Sequence, residues 1–480
     1  MEYITPPESI NYKEILSKSF CLAPSKYSKF IPKKNLKNIY FDKFDNLITT
    51  SEKRKGIESK RQYYYIEIGD INVINGGINY KLRIGLNIPQ KRPLELKKGY
   101  IIISKVRTYR KGISYINNND EIVCTPAFIV IRDVKKGLTK EYIYSILRHN
   151  FFVEQILSLQ NRGMYPRLDK NTKKEVLIPI PKNKKIIEYI TKLTKSSISK
   201  EEEIRRKFKK IDELIENEIK ENQKSNIFNY NFPTFKEIEK EIRLSASIYS
   251  EEYKQLIFLI KNYKNGFFNI NQEYFLSGNT PKERVFGIGK IWVTPTDINP
   301  FGTLNKNIIA CKKYNLSKNC VLMINRGREE DVGVSMFYDF EIFGDGQHNQ
   351  GIYRVNKYEK TKLILIACLM DSKIYRRICA NLSLGSKMDE MKSKHFSILP
   401  FPEFPENIKK KIIKLYYNKI KYPQISLNNF KEEDNKITKS SGIIHLNKQI
   451  VEIQDRLSQI INSLIKDNNF SLDFDFLAKI

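Results

Sequence analysis

The sequence is poor in the residues that build disulfide frameworks, metal sites and membrane spans. Its 480 residues include six cysteines, four histidines and one tryptophan. There is no Cys-x-x-Cys pair and no His pair at metal-ligand spacing, so we expect neither a zinc site nor a disulfide framework. The longest apolar run, residues 363–370, is too short to cross a bilayer, and the first residues form no signal peptide. We therefore predict a protein of the reducing cytoplasm without membrane, metal or cofactor.

Motifs of catalytic sites are also missing from the sequence. Residues 287–290 contain two glycines and a lysine, but they lack the spacing of a phosphate-binding loop. Residues 299–301, Asn-Pro-Phe, approach the Asn-Pro-Pro-Tyr pattern of enzymes that methylate a flipped base, and they break it after one proline. The sequence therefore predicts a chain that is not an enzyme by itself.

Charge of one sign is abundant. The chain has 84 Lys and Arg against 54 Asp and Glu, a net charge of +30. Such a surplus favours a polyanionic partner, because each phosphate that a cation neutralises releases a counterion. Codon bias in an AT-rich genome also enriches Lys together with Ile and Asn. The location of the charge is therefore more informative than its total.

The sequence contains two copies of one plan, offset by 220 to 222 residues. Seven matches occur in the same order along both halves, which chance rarely produces. The matched pairs are residues 22–28 with 244–250, 68–71 with 288–291, 96–103 with 316–323, 139–140 with 361–362, Leu147 with Leu369, Gly163 with Gly385, and 178–181 with 398–402. Each copy is predicted to consist of strands, a helix (near residues 140–159 and 362–382), and a final strand ending in Pro-x-Pro.

A long helix is predicted after each Pro-x-Pro. Residues 184–221 place apolar side chains at 204, 208, 211 and 215, and residues 443–466 place them at 446, 450, 453, 457, 460 and 464. This alternation of 4 and 3 is typical of coiled-coil helices, although a stripe packed on its own domain would look the same. The two segments hold 14 basic and 11 acidic residues, so most of the surplus charge lies on the repeated units.

Three kinds of segment supply candidate DNA contacts. Residues 97–112 carry six cations and no acid, with Tyr100 and Tyr109 between them. Residues 344–351 hold Gln and Asn, which can pair with adenine, and His, although a solvated turn is equally compatible. Glycine loops at Gly163 and Gly385 bring a cation near the last strand of each copy. The predicted DNA-binding residues are Lys105, Arg107, Tyr109, Arg110, Lys111, Arg162, Tyr165, Arg167, Asn325, Arg326, Arg328, Gln347, His348, Asn349 and Lys387.

The order of these features resembles the specificity subunit of type I restriction-modification systems. The segments that carry the resemblance are residues 243–250, 68–71, 96–104, 163–168 and 177–181 with its following helix, together with their equivalents in the other copy. Three departures occur: Lys290 stands at the position of Asp70, Asn319 at that of Gly99, and residues 423–442 are a polar insertion.

The resemblance implies an α+β fold with two mixed α/β target recognition domains separated by two long helices that pair as an antiparallel coiled coil. The implied domains are 1–183 and 223–405, with helical regions at 184–222 and 406–480. The implied partners are double-stranded DNA, read as a split site, and DNA methyltransferase subunits on the spacer helices, with or without a restriction subunit. Two other readings stay open: a nuclease or methyltransferase with an unrecognised active site, and an architectural DNA-binding protein without sequence preference.

Overall fold

A computed structural model describes residues 3–5, 7–17, 27–28, 30–31, 36–159, 168, 172–241, 245–280, 284–285, 290–299, 309–311, 315–383, 389–421, 428–467 and 470–472. The chain divides into two compact units. The first contains Met1–Glu202, Tyr422–Lys436 and Gln449–Ile480, and the second contains Glu203–Lys421 and Ile437–Lys448. One division point falls inside a long helix, between Glu202 and Glu203.

The first copy of the repeat lies in the first unit. Its strands are β1 (Ile39–Lys43), β2 (Ile48–Ser51), β3 (Gln62–Ile66), β4 (Lys81–Ile84), β5 (Leu94–Leu96), β6 (Ile101–Ser104), β7 (Ile113–Tyr115), β8 (Ile122–Cys124), β9 (Phe128–Val134) and β10 (Leu177–Pro181). Its helices are α1 (Tyr12–Ser17), α2 (Phe44–Leu47), α3 (Lys140–Arg148), α4 (Asn150–Leu159) and α5 (Thr172–Glu175). The helix that follows the copy is α6 (Lys184–Glu221).

Two four-stranded sheets form the body of the first copy. One has the order β2-β9-β6-β7 and is antiparallel, and the other has the order β4-β3-β8-β5, in which β3 and β8 run parallel. Ile102, Phe128 and Val130 of the first sheet pack against Ile66 and Ile122 of the second in one buried cluster. The β-branched residues of these strands suit a pleated surface that is covered on both faces.

The second copy lies in the second unit and repeats this arrangement. Its strands are β11 (Phe267–Phe268), β12 (Leu276–Ser277), β13 (Arg284–Val285), β14 (Lys290–Val293), β15 (Ile309–Cys311), β16 (Cys320–Ile324), β17 (Arg326–Gly327), β18 (Ser335–Tyr338), β19 (Gly346–His348), β20 (Ile352–Val355), β21 (Asp389–Glu390) and β22 (Phe401–Pro402). Its helices are α7 (Phe235–Glu241), α8 (Glu251–Lys261), α9 (Phe340–Phe343), α10 (Lys360–Asp371), α11 (Lys373–Leu382) and α12 (Ser393–Ser397).

The sheet topology confirms the α+β class and the duplication. The order β12-β20-β16-β18 matches β2-β9-β6-β7, and the parallel pair β14 and β19 matches β3 and β8. Both copies end in the predicted proline strand: Pro181 of β10 pairs with Ile39, and Pro402 of β22 pairs with Phe267. Proline is tolerated there because each of these strands pairs on one side only, in a two-stranded sheet.

One match of the repeat was wrong. The parallel strand β3 is followed by a 3-10 turn in which Asp70 accepts a hydrogen bond from the backbone N–H of Glu67 at 2.8 Å. The parallel strand β14 is followed by the same turn, with Asp297 accepting from the N–H of Thr294 at 2.7 Å. Asp297, not Lys290, is therefore the equivalent of Asp70. The offset is 227 here because an insertion precedes β14, and a search at constant offset misses it.

The predicted helix in each copy is two helices. Helix α3 ends at Arg148, and the next residue, His149, is extended, with φ −77° and ψ 151°, before α4 begins. Helix α10 ends at Asp371, and the next residue, Ser372, is extended, with φ −66° and ψ 153°, before α11 begins. One extended residue in each copy breaks the 3.6-residue period while the apolar composition continues. The prediction of a single helix was wrong for that reason.

The first long helix was predicted with its observed bounds. Helix α6 has 38 residues, and Ile204, Ile211 and Ile215 of its apolar stripe are buried, whereas Phe208 is half-buried. In the first unit Thr191 and Thr139 share a hydrogen bond of 2.6 Å that ties the helix to α3. In the second unit Asp212 accepts from the backbone N–H of Lys373 at 2.8 Å, which ties the helix to α11.

The second helical region is interrupted. It consists of α13 (Glu406–Tyr416), α14 (Phe430–Ser440) and α15 (Ile443–Lys466). Helix α15 has the predicted bounds, and all six residues of its apolar stripe are buried. The chain returns at Gly442, whose N–H donates to the carbonyl of Asn418 at 2.9 Å. A Cβ at Gly442 would lie 2.2 Å from the N atom of Asn418, so only glycine permits this return.

The polar insertion of the second copy therefore contains a helix. In the first unit, Asp434 of α14 forms a buried ion pair with Lys200 of α6 and accepts from the hydroxyl of Ser196 at 2.8 Å. In the second unit, Lys207 Nζ donates to the carbonyl of Lys439 at 2.7 Å. Helix α14 thus contacts α6 within each unit, and Gly442, after the helix, lies beside Asn418.

Neither a membrane span nor a metal cluster occurs in the part of the chain that the structure describes. None of the described helices combines the length and apolarity that crossing a bilayer requires. The described His, Cys, Asp and Glu side chains form no group of three or more around a possible ion. Cys124, Cys320, Cys368 and Cys379 are buried free thiols.

Candidate nucleic-acid interface

The structure brings eight of the predicted DNA-binding residues into two equivalent loops, one in each unit. The loop between β6 and β7, residues 105–112, is called loop A, and the loop between β16 and β18, residues 325–334, is called loop B. Both leave the same end of equivalent strands, since β6 pairs with β7 and β9 as β16 pairs with β18 and β20. Loop A holds Lys105, Arg107, Tyr109, Arg110 and Lys111, and loop B holds Asn325, Arg326 and Arg328.

Loop A has a tightly specified backbone. Arg107 with φ 49° and Lys111 with φ 62° flank a single 3-10 turn in left-handed conformations, which side-chain-bearing residues rarely adopt. The Thr108 hydroxyl inside the turn donates to the carbonyl of Ser104 at 2.6 Å, and the Ser104 hydroxyl donates to that of Val106 at 2.7 Å. Strain of about 1–3 kcal/mol for each left-handed residue persists only where such contacts enforce it.

An arginine from outside loop A fixes its position. Arg148, at the end of α3, donates from Nη1 to the carbonyls of Lys111 and Ile113, both at 3.1 Å. Its Nη2 donates to the carbonyl of Val73 at 3.1 Å and to that of Ile74. One guanidinium thus joins loop A to the neighbouring loop 72–77. The planar fork of five donors makes arginine suited to this task, and lysine could not replace it.

The loop at 72–77 is shaped for this close approach. Gly76 has φ 84°, and a Cβ there would lie 2.2 Å from the hydroxyl of Tyr144. The carbonyl of Gly76 accepts a hydrogen bond of 2.6 Å from the hydroxyl of Ser114 on β7. The residue therefore combines a left-handed backbone with a position that has no room for a side chain.

The cations of loop A differ in what they can offer a phosphate. Arg110 is exposed, and Arg107 and Tyr109 are half-buried. Lys105 donates from Nζ to the carbonyl of Pro126 at 2.8 Å. Burial lowers the pKa of Lys111 to about 8, and the neighbouring Arg148 adds to this shift. Arg110 is therefore the cation of loop A best placed for a phosphate contact.

Loop B has a different electrostatic character. Arg326 forms an ion pair with Glu390 at 2.7 Å. Arg328 contacts Asp331 through two hydrogen bonds of 2.8 and 3.0 Å, and these raise its pKa. Residues 325–334 contain two basic and three acidic residues, whereas residues 105–112 contain four basic residues and no acid. The predicted cations of loop B are thus neutralised within the protein.

An arginine also fixes loop B. Arg376 of α11 donates to the carbonyl of Val332 at 2.7 Å and to that of Glu330 at 2.5 Å. Asn325 is buried, and its amide donates to the carbonyl of Gln350 at 3.1 Å. Sequence reasoning missed Arg148 and Arg376. An arginine on an amphipathic helix carries no signal of a loop contact, so only the tertiary structure identifies the two.

Residues 344–351 were predicted to form an exposed loop. That prediction was wrong for Gln347 and His348. Gln347 and His348 lie in strand β19 beside β14, and both side chains are buried. Burial, with Arg354 contributing, lowers the pKa of His348 to about 4, so the ring is neutral near pH 7. Its Nδ1 contacts the carbonyl of Ile352 at 3.1 Å. The alternating polar residues and glycines of this segment looked like a loop in the sequence. The strand that pairs with β19, β14, is distant in the sequence and so gave no sign of the pairing.

The remaining candidates have separate positions. Asn349 is half-buried, and its Oδ1 accepts from the N–H of Gly351 at 2.7 Å, a local turn contact. Arg162, Tyr165, Arg167 and Lys387 lie outside the described residues. The well-defined part of the candidate interface is therefore loop A with loop 72–77, together with loop B.

Comparisons with solved structures give several similar chains, among them the following three. The HsdS subunit from Thermoanaerobacter tengcongensis is 15% identical with a TM-score of 0.33, over 91% of this chain and 99% of that one. A type I restriction-modification S subunit from M. genitalium is 14% identical with a TM-score of 0.34, over 92% and 100%. A chain from a structure of type I R-M complex assembly and conformational transition is 15% identical with a TM-score of 0.31, over 91% and 100%.

No family model matches the chain, and no curated protein matches it. TM-scores and identities of the size found among the solved structures assign neither a family nor a function.

Proposed function

We propose that the chain is the DNA-specificity subunit of a type I-like restriction-modification complex. The observation that carries the proposal is the duplication: two copies that share the sheet order β2-β9-β6-β7 and β12-β20-β16-β18 present equivalent arginine-held loops, and a long helical region follows each copy. A protein that reads two half-sites needs two similar readers and a spacer between them. The charge of +30 suits a polyanionic partner.

In this proposal residues 1–183 and 223–405 each read one half of a split DNA site. Residues 184–222 and 406–480 are the spacer, in which α6 and α15 pair as an antiparallel coiled coil. DNA methyltransferase subunits dock on the spacer, and a restriction subunit joins them in a system that also cleaves. Two weak half-site contacts joined by a stiff spacer gain effective concentration over either contact alone.

The proposed division of labour within a reader follows from the two loops. Arg110 contacts a backbone phosphate and sets the register of the first unit on the duplex, while Arg107 and Tyr109 face the groove. Arg326 and Arg328 are already paired, so they reach DNA only by exchanging Glu390 or Asp331 for a phosphate or a guanine edge. The second unit accordingly contributes less to the salt-dependent part of binding.

Selection from a randomised duplex library tests the proposal. The library carries two random half-sites separated by gaps of different lengths, and the full-length chain is used with its methyltransferase. We expect two short recognised sequences separated by a fixed, unread gap. The matched control is loop A carrying Arg110→Ala, which should weaken binding to all members of the library alike.

A single continuous recognised sequence, or no preference at all, would overturn the proposal in favour of an architectural protein. Turnover by the purified chain alone, with magnesium or a methyl donor, would instead favour an enzyme with an unrecognised site.

A further inference from the structure

The segment between α6 and α8 exposes three large apolar side chains. Ile227 is 83% exposed, Phe232 82% and Phe235 80%, more than any other large apolar residue that the structure describes. The three lie within nine residues of chain, in residues 225–238, which we call the exit segment. Single exposed apolar residues are ordinary on a protein surface, whereas three of them so close together in the chain are a candidate binding site.

The exit segment is held against the second unit by contacts that do not involve its exposed side chains. The ring of Phe228 lies 5.4 Å from that of Phe258 on α8, and the hydroxyl of Tyr230 donates to the carbonyl of Tyr249 at 2.9 Å. Lys254 donates from Nζ to the carbonyl of Asn231 at 3.0 Å. The exposed side chains therefore project from an ordered backbone, and a partner would lose little conformational entropy in binding them.

Charge disfavours DNA as the ligand of this surface. Residues 225–235 contain no charged residue, and the two charges of the exit segment, on Lys236 and Glu237, have opposite signs, in a chain of which 29% is charged. Nucleic-acid surfaces need cations for phosphate, whereas the centres of protein interfaces are depleted of charge and enriched in aromatic residues. A neutral aromatic surface is complementary to an apolar groove on another protein.

The same apolar spacing occurs after the second long helix. Phe228, Phe232, Phe235 and Ile238 are repeated in the sequence as Phe470, Phe474, Leu477 and Ile480, each at an offset of 242. An apolar pattern of the same spacing thus follows each of the two long helices in the sequence. An aromatic segment associated with each helix is expected if the same kind of partner binds at both.

We propose that the exit segment is a docking peptide for the methyltransferase subunit, which receives Ile227, Phe232 and Phe235 in an apolar groove. This inference rests on the proposed function, because that function supplies the partner. It adds a contact outside the spacer helices, and it assigns the contact to aromatic side chains and not to charged helix faces.

The test uses the full-length chain and the methyltransferase encoded beside it, both purified. The variant is Phe232→Ser with Phe235→Ser, and the control is Leu86→Ser, since Leu86 is 78% exposed in the first unit. Isothermal titration measures affinity for the methyltransferase, fluorescence anisotropy measures DNA binding by the chain alone, and thermal unfolding checks the fold. Light scattering measures self-association.

We expect the double variant to bind the methyltransferase about tenfold more weakly or worse, while its DNA affinity and unfolding temperature stay unchanged. Leu86→Ser should bind as the parent does. Equal affinity of the parent and the double variant would overturn the inference and leave the proposed function intact. A parent dimer that becomes a monomer in the double variant would assign the segment to a second copy of the chain. A parent that binds no methyltransferase would overturn both.

Discussion

Two arginines in equivalent loops have different surroundings because acids lie beside only one of them. Arg110 is an exposed residue of loop A, which contains no acid, whereas Arg326 of loop B lies 2.7 Å from Glu390. Arg110→Ala should reduce the slope of log affinity against log salt by about 0.9, the loss of one phosphate contact. Arg326→Ala removes the same charge at the equivalent loop and should leave the slope unchanged. Anisotropy titrations at several salt concentrations measure both slopes, and equal changes would remove the distinction between the loops.

Asp371 shows how burial changes a carboxyl group. Its Oδ1 accepts from the N–H of Ser335 at 2.8 Å, and its Oδ2 has no hydrogen-bond partner among the residues described. Burial raises the pKa of Asp371 well above its usual range. The unfolded chain ionises near pH 4 while the folded chain keeps the proton, so this group destabilises the fold increasingly as pH rises from there to the folded-state pKa.

Asp371→Asn removes that dependence. We expect the variant to gain stability over the parent as pH rises above about 4, until the raised folded-state pKa of Asp371 is reached, by at most about 1.4 kcal/mol per pH unit. Urea unfolding followed by the fluorescence of Trp292 reports on the second unit, because Trp292 is the only tryptophan and lies in β14. Glu329→Gln, an exposed site in the second unit, is the control. Parallel curves for parent and variant would show that Asp371 is ionised in the fold.

At the scale of elements, α14 is joined to α6 by a buried ion pair. Lys200 is 2% exposed and Asp434 9%. Burial lowers the pKa of Lys200, and the contact with Asp434 opposes this. Removing one member of a buried pair leaves an uncompensated charge, which costs about 3–5 kcal/mol, while replacing both by apolar residues is often neutral. The pair is therefore more informative about specificity of packing than about net stability.

A double-mutant cycle on this pair has a definite expectation. Lys200→Met and Asp434→Leu should each reduce protection of the α14 amides in native-state hydrogen exchange, and the double variant should recover most of it. Lys436→Ala, on the exposed side of α14, removes contacts with Glu432 and Glu433 and should leave protection of the α14 amides nearly unchanged. Additive losses in the double variant would show that the two side chains act separately.

At the scale of the whole molecule, the proposed spacer makes a prediction about distance. Deleting residues 203–209 removes one heptad of α6, about 10 Å at 1.5 Å per residue. The gap between recognised half-sites should change by roughly three base pairs at about 3.4 Å each, and the half-site sequences should stay the same. The deletion also removes Lys207, so Lys207→Ala is the control and should keep the original gap. A deletion variant with the original gap would exclude α6 as the spacer.

The sequence alone determined the features that depend on local periodicity. Apolar residues at spacings of 4 and 3 predicted α6 and α15 with their observed bounds. A helical period can be read from the sequence because it involves only residues that are close together along the chain. The duplication and the proline strands at its ends were predicted because seven short matches keep their order. The basic stretch of loop A was also found from the sequence, because its cations lie close together along the chain.

The tertiary structure decided everything that depends on distant partners. The equivalence of Asp70 with Asp297 follows from strand pairing, which an insertion conceals from a search at constant offset. Gln347 and His348 are buried because β19 pairs with β14, more than 50 residues earlier. Arg326 of loop B is neutralised by Glu390, which only the fold brings near, and Arg148 and Arg376 reach their loops from helices. Burial and ion pairing are properties of the space around a side chain, and a sequence pattern records only the order along the chain.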